Sequence, residues 1–201
     1  DEVMVALNII HLTPSELMGP LVFDQLAPVG WLLVEKASLI LWDDFDYALR
    51  LPSLVGGIAA LYVFYRFLEY STDAWETVAG VAMMAAFPVF IEYSSMVKPY
   101  IFDVLFASAL LFSSLALLRE EDRRGGLTLL YGAIGVACIP FAFGGTLAMA
   151  GTGPILFAAA ILRKDYAWAA ALAAVGIVWG LLFGAIYGLV YAENAETISN
   201  M

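Results

Sequence analysis

Six apolar runs, each close to the length of one bilayer crossing, constrain this chain more than any other feature. They fall at residues 49–68, 75–93, 100–118, 127–142, 145–162 and 166–191. At about 1.5 Å rise per residue, a helix of roughly 20 apolar residues crosses a hydrocarbon core about 30 Å thick. The stretch 127–162 is too long for one straight span. Pro140, Gly144-Gly145 and Gly151-Thr152-Gly153-Pro154 break it, so it divides into two helices, the first of them short. The predicted fold is all-α, a polytopic bundle of about six transmembrane helices. Composition agrees: 63% of residues are hydrophobic, 14% are charged, and the mean hydropathy is +0.87. Soluble domains carry about 45–50% apolar and about 25% charged residues.

The same arithmetic excludes several classes. A net charge of −10 argues against nucleic-acid partners, whose phosphates call for a basic surface. Cys138 is a single cysteine and forms no internal disulfide, and one histidine, His11, rules out a metal site built mainly of imidazole. There is no phosphate loop, no Cys/His metal signature and no G-x-S-x-G elbow. A transporter would place charges at mid-bilayer on facing helices, and none are found there.

Residues 1–48 differ from the rest, mixing apolar runs with Pro14, Pro20, Pro28 and many acids. A helix over 28–42 would carry Glu35-Lys36 at its middle. Charge at a bilayer centre costs several kcal/mol, so an interfacial helix is expected there instead. The domain reading is therefore an outer-face loop with that helix (1–48), a transmembrane bundle (49–192) and an outer-side tail (193–201). With residues 1–48 outside, six of the nine basic residues fall inside: Arg66, Arg119, Arg123, Arg124, Arg163 and Lys164. Only Lys36, Arg50 and Lys98 remain outside. The expected location is a bacterial inner (plasma) membrane, with residues 1–48 extracytoplasmic. The start at Asp1 and the end near Met201 read as those of a segment from a larger membrane protein.

Four constellations are candidates for chemistry. Asp1-Glu2 at the mouth of a bundle suits a general base or metal ligand, or is a solvated terminus. Asp24-Gln25 stands before Pro28, where a helix-capping role is the plainer alternative. The segment from Glu92 through Lys98, Pro99 and Tyr100 to Asp103 is the most informative. Tyr100 and Asp103 share a helix face, and Glu92 and Asp103 lie at membrane-helix ends where carboxylates are costly. An ion pair of Lys98 with Asp103 or Glu92 is the structural alternative. The run Asp43-Asp44-Phe45-Asp46 with Arg50 reads as a solvated face, with Asp46 and Arg50 four apart as a helix pair. It is too incomplete for a calcium loop.

Taken in order, these segments resemble a GT-C glycosyltransferase of the protein O-mannosyltransferase-like type. Asp1-Glu2-Val3 resembles the acidic motif of the first outer loop. D-Q-L-A-P-V-G-W-L-L-V-E-K at 24–36 resembles a Q-x-P-P-G-[FW]-L-x-x-E-K motif. Y-A-L-R-L-P-S-L at 47–54 resembles an R-L-P-S-L helix opening. Y-S-S-M-V-K-P-Y at 93–100, with Asp103, resembles Y-S-S-x-V-K-x-Y-x-x-D. The resemblance covers about residues 1–105, and the later helices fit by hydropathy.

It implies an integral membrane glycosyltransferase that moves a sugar from a polyprenyl-phosphate donor to an acceptor at the outer face. Asp1 would be the base, with Glu2 in reserve. Lys98 and Tyr100 would meet the donor phosphate. Asp24 and Gln25 would support acceptor or metal binding, and Glu92 and Asp103 would orient Lys98. A divalent cation is the one cofactor it leaves room for. The implied partners are the polyprenyl-phosphate sugar and membrane lipid, with no nucleic acid. Against the family pattern, the sequence lacks the helix expected before the first acidic motif, the later helices and any soluble C-terminal domain. The competing class is a non-catalytic structural subunit of a larger membrane protein complex, built from a truncated GT-C module.

Overall fold

A computed structural model describes residues 2–22, 25–42 and 45–191, and the described residues are helical with no strand. In chain order the helices are α1 (Glu2–His11), α2 (Val29–Leu41), α3 (Phe45–Ser71), α4 (Ala74–Ala86) and α5 (Pro88–Tyr93). They continue with α6 (Tyr100–Arg119), α7 (Arg124–Phe141), α8 (Gly145–Leu162) and α9 (Tyr166–Ile186). The interfacial helix expected over 28–42 is α2. Pro28 stands just before it in an extended conformation, a residue that fits ahead of a helix because it has no N–H to satisfy.

Among the described residues, five helices are long and apolar enough to cross a membrane: Asp46–Ser71, Tyr100–Arg119, Glu121–Phe141, Gly145–Leu162 and Tyr166–Ile186. The sixth expected span, 75–93, is not one helix. Phe87 is extended (φ −72°, ψ 120°) because the residue before a proline is pushed out of the helical region, and Pro88 opens a new helix. α4 and α5 together still carry the chain back across the bundle. α3 and α6 run parallel: Ser53 meets Lys98, Gly56 faces Ile101 and Phe102, and Tyr70 meets Phe112, Arg119 and Glu120. Two parallel neighbours require a return crossing between them, and α4–α5 is that crossing, broken once.

The other prolines leave their helices continuous. Pro140 lies in the last turn of α7, and Pro154 sits within α8. Pro52, inside α3, supplies no N–H for the carbonyl of Ala48 four residues earlier. That carbonyl accepts instead from the buried Ser38 hydroxyl of α2 at 2.7 Å, which ties α2 to α3.

The bundle has two packed regions. One joins α6, α7, α8 and α9 around Leu110, Leu117, Tyr131, Leu156, Trp168 and Trp179. Inside it the Trp179 indole donates to Gly132 O at 2.9 Å, and the Tyr131 and Thr152 hydroxyls pair at 2.7 Å, so these buried polar groups are satisfied. The other region joins α1, α2, the start of α3 and the turn before α6 through Val5, Ile9, Leu17, Trp31, Leu32, Leu49 and Val97. The two ends of the bundle differ in charge. At the arginine end, Arg124 binds Asp165 and Glu121 at 2.8 Å each, Arg163 binds Glu121 at 3.0 Å, and Arg119 donates to Tyr70 O at 2.9 Å. At the opposite, cap end sit α1, α2 and the 94–99 turn.

Candidate active site

The cap end is assembled from segments far apart in sequence. Asn8, buried in α1, holds the incoming chain on both sides of one residue. Its amide donates to Val22 O at 3.0 Å, and its carbonyl accepts from Val22 N at 2.8 Å. This lays the loop after α1 back over that helix and leads the chain toward α2. At the start of α1, the Glu2 carboxylate accepts from Val97 N at 2.7 Å, across 95 positions of sequence. The start of α1 is thereby brought against the turn that contains Lys98.

That turn is built by its own backbone. Met96 N donates to Glu92 O at 3.1 Å, Lys98 N donates to Met96 O at 2.9 Å, and Pro99 opens α6. Lys98 is buried, 9% exposed, and its carbonyl accepts from Ser53 Oγ at 3.5 Å. Tyr100 is exposed and its ring lies 5.0 Å from that of Tyr93. Glu92 is exposed at the end of α5. Gln25 is half-buried on the segment entering α2. Asp1 and Asp24 lie outside the described residues, as does the segment 193–201. Among the described residues no group of three or more His, Cys, Asp or Glu is placed to hold a metal ion.

Two residues take positions other than those expected. Asp103 does not turn toward Lys98: its carboxylate accepts from Gly144 N at 2.7 Å and Gly145 N at 3.3 Å, so it caps the start of α8 from a neighbouring helix. The physical pull is the set of unsatisfied N–H groups at a helix N-terminus. Arg50 does not pair with Asp46, and among the described residues it has no ion pair. It lines an open cleft of about 350 Å³ with Trp42, Tyr47, Leu51, Leu54, Ser94 and Ser95. The cleft therefore adjoins the Lys98 turn and adds a cation and two hydroxyls to that end. Sequence reasoning missed it because four-residue spacing on a helix suggests a pair, while nothing local shows that Ser94 and Ser95 arrive from across the bundle.

Glu35 is sealed inside the cap, 0% exposed, with no hydrogen-bond partner on either oxygen among the described residues. Burial pushes its carboxyl up to about 9, against a smaller downward pull from the neighbouring Trp31 indole. Glu16 goes the other way, held low mainly by the Thr13 N–H and hydroxyl that donate to it. A cavity of about 690 Å³ lies elsewhere, between α7 and α9. Its walls are largely Gly, Ala and Val, with the Arg124–Asp165–Glu121 cluster at one end. The arginine there is already paired to two carboxylates, so the cap end is the better candidate for chemistry.

The sequence profile of a family described as dolichyl-phosphate-mannose-protein mannosyltransferase matches residues 27–183. The match runs from the residues before α2 into α9. It thus reaches well past the N-terminal half, to which the sequence motifs had confined the resemblance, and begins after Asp1-Glu2 and Asp24-Gln25. No curated protein and no solved structure matches the chain.

Proposed function

Because this chain belongs to the dolichyl-phosphate-mannose-protein mannosyltransferase family and is a membrane glycosyltransferase of the GT-C type, we propose that it transfers a sugar from a polyprenyl-phosphate donor to an acceptor at the outer membrane face. In this reading the acceptor hydroxyl attacks the anomeric carbon while the bond from that carbon to the phosphate oxygen breaks. The lipid phosphate leaves with the electron pair, the configuration inverts, and the acceptor's proton passes to a carboxylate. Asp1 is that base, with Glu2 beside it. Lys98 and Tyr100 stand on the phosphate side, and Arg50 with Ser94 and Ser95 extends the polar lining there. Asp24 and Gln25 support the acceptor side, and Glu92 borders the turn. A base on one side of the reacting carbon and positive charge on the other is what such a displacement needs.

One observation supports the reading above others: the 2.7 Å bond from Val97 N to the Glu2 carboxylate, which ties the start of α1 to the lysine turn. The cap end is taken as extracytoplasmic, in keeping with the arginines gathered at the other end. Native mass spectrometry of the chain purified in mild detergent tests the donor. Retention of a polyprenyl-phosphate species by the wild type, and its loss in Lys98→Ala at unchanged thermal midpoint, is the expected result. Lipid retention that ignores Lys98, or a stoichiometric protein partner in place of the lipid, would favour the structural-subunit reading.

A further inference from the structure

Lys36, a cation of the cap, reaches a different helix by direct hydrogen bonds of its side chain. Its ammonium donates to Ile9 O at 2.9 Å and Ile10 O at 3.0 Å. These are carbonyls of the last turn of α1, which have no partner within the helix and carry the negative end of its dipole. The opposite end of α1 carries Glu2, bound to Val97. α1 is therefore pinned at both ends, by Lys36 of α2 and by the turn before α6, with Asn8 holding the Val22 backbone between them. The remaining contacts of α1 are apolar, through Val5 and Ile9 against the Trp31 and Leu32 cluster. Such contacts are non-directional and fix axial position poorly. A helix of 10 residues is also too short to hold its own shape in isolation.

Lys36 is not spent on its sequence neighbour. Burial, with only the Trp31 indole opposing it, accounts for the shift of the Glu35 carboxyl. Glu16 feels the Lys36 charge weakly, and its carboxylate is already engaged by Thr13.

We propose that Lys36 is a positioning residue for the acidic motif at the start of α1: it clamps the far end of that helix, about 11–12 Å away at about 1.5 Å per residue, and so sets where the motif meets the Lys98 turn. The inference rests on the transferase reading above. Displacing a catalytic group by about 1 Å costs on the order of a hundredfold in rate.

The test uses the whole chain in nanodiscs and compares wild type, Lys36→Met and Lys36→Arg. Spin labels at Val3→Cys and Ser95→Cys, in a Cys138→Ser background, report the distance from α1 to the turn. Parallel assays with a polyprenyl-phosphate-linked sugar give kcat and KM. Lys36→Met is expected to broaden the distance distribution and lower kcat about ten- to a hundredfold at nearly constant donor KM. Lys36→Arg, which keeps the charge and the donors, should restore both. An unchanged distribution in Lys36→Met, or a broadened one with wild-type kcat, overturns the inference and leaves the transferase reading standing. Absence of transfer by the wild type overturns the transferase reading, and the positioning role falls with it.

Discussion

Glu35 and Lys36 sit side by side on α2, yet the carboxyl is sealed in the cap while the ammonium reaches the end of α1. A carboxyl buried without a partner keeps its proton, and that has a thermodynamic sign. Unfolded, Glu35 ionises near 4.5; folded, it holds the proton to about 9. Between those values the folded chain binds the extra proton, so stability falls as pH rises, by at most about 1.4 kcal/mol per unit. Below the lower value both states are protonated and the penalty vanishes. Glu35→Gln, neutral at every pH, should therefore match wild type in acid, exceed it in thermal midpoint at about pH 8, and flatten the profile between. A wild-type midpoint that rises from pH 5 to about pH 8, with the same slope in the variant, would contradict this. Glu2 allows a second residue-scale prediction. Its carboxylate satisfies the N–H of Val97, and an unsatisfied buried donor costs about 1–3 kcal/mol. Glu2→Ala should lower the thermal midpoint, whereas Glu2→Gln keeps an acceptor oxygen and should stay near wild type. If Asp1 is the base, Glu2→Gln also keeps turnover, and an inactive but stable Glu2→Gln would move the role to Glu2.

At the scale of elements, helices meet through specific exceptions to apolar packing. Asp103 caps α8 across from α6, so Asp103→Ala should cost about 1–2 kcal/mol while Asp103→Asn retains most of the cap. Equal loss in both, by thermal or denaturant unfolding in detergent, would mean that its charge matters rather than its hydrogen bonds. Close approach of α7 and α9 depends on Gly135, where an added Cβ would lie 2.2 Å from the Trp179 ring. Gly135→Ala should destabilise by about 1–3 kcal/mol as an overpacked contact. Gly125→Ala, on the same helix with nothing within 4 Å of the new methyl, should be neutral or slightly stabilising. Hydropathy located these elements well, because crossing a bilayer demands length and apolarity that composition alone displays. It did not locate the break at Pro88 within a run that is apolar throughout. The site was less legible. The motif around Lys98 could be read off the chain, but the tie from Glu2 to Val97 and the reach of Lys36 to α1 are tertiary contacts with no periodicity to announce them. Asp103 shares a helix face with Tyr100, which suggests service to Lys98, yet its carboxylate caps the unsatisfied end of α8.

For the whole molecule, the alternation of α3, α4–α5, α6, α7, α8 and α9 puts the cap at one end and the arginines at the other. Single cysteines at Ser15, Ser95 and Gly125, in a Cys138→Ser background, test the proposed orientation in intact cells. An impermeant thiol reagent should label the first two and spare the third; labelling of Gly125→Cys alone would invert the orientation. The family and the bundle make this a membrane glycosyltransferase, the proposal puts the transfer at the cap end, and the decisive measurement is the reaction itself. Wild type, Asp1→Asn and Lys98→Ala are reconstituted with a polyprenyl-phosphate-linked radiolabelled sugar and a mixture of outer-face acceptors, and both product formation and anomeric configuration are read. The account predicts transfer with inversion by the wild type and a loss of roughly 10²–10⁴-fold in Asp1→Asn, the scale of removing a general base. It predicts weakened donor use in Lys98→Ala, with all three proteins equally folded. Undiminished transfer by both variants, or transfer with retained configuration, would contradict it.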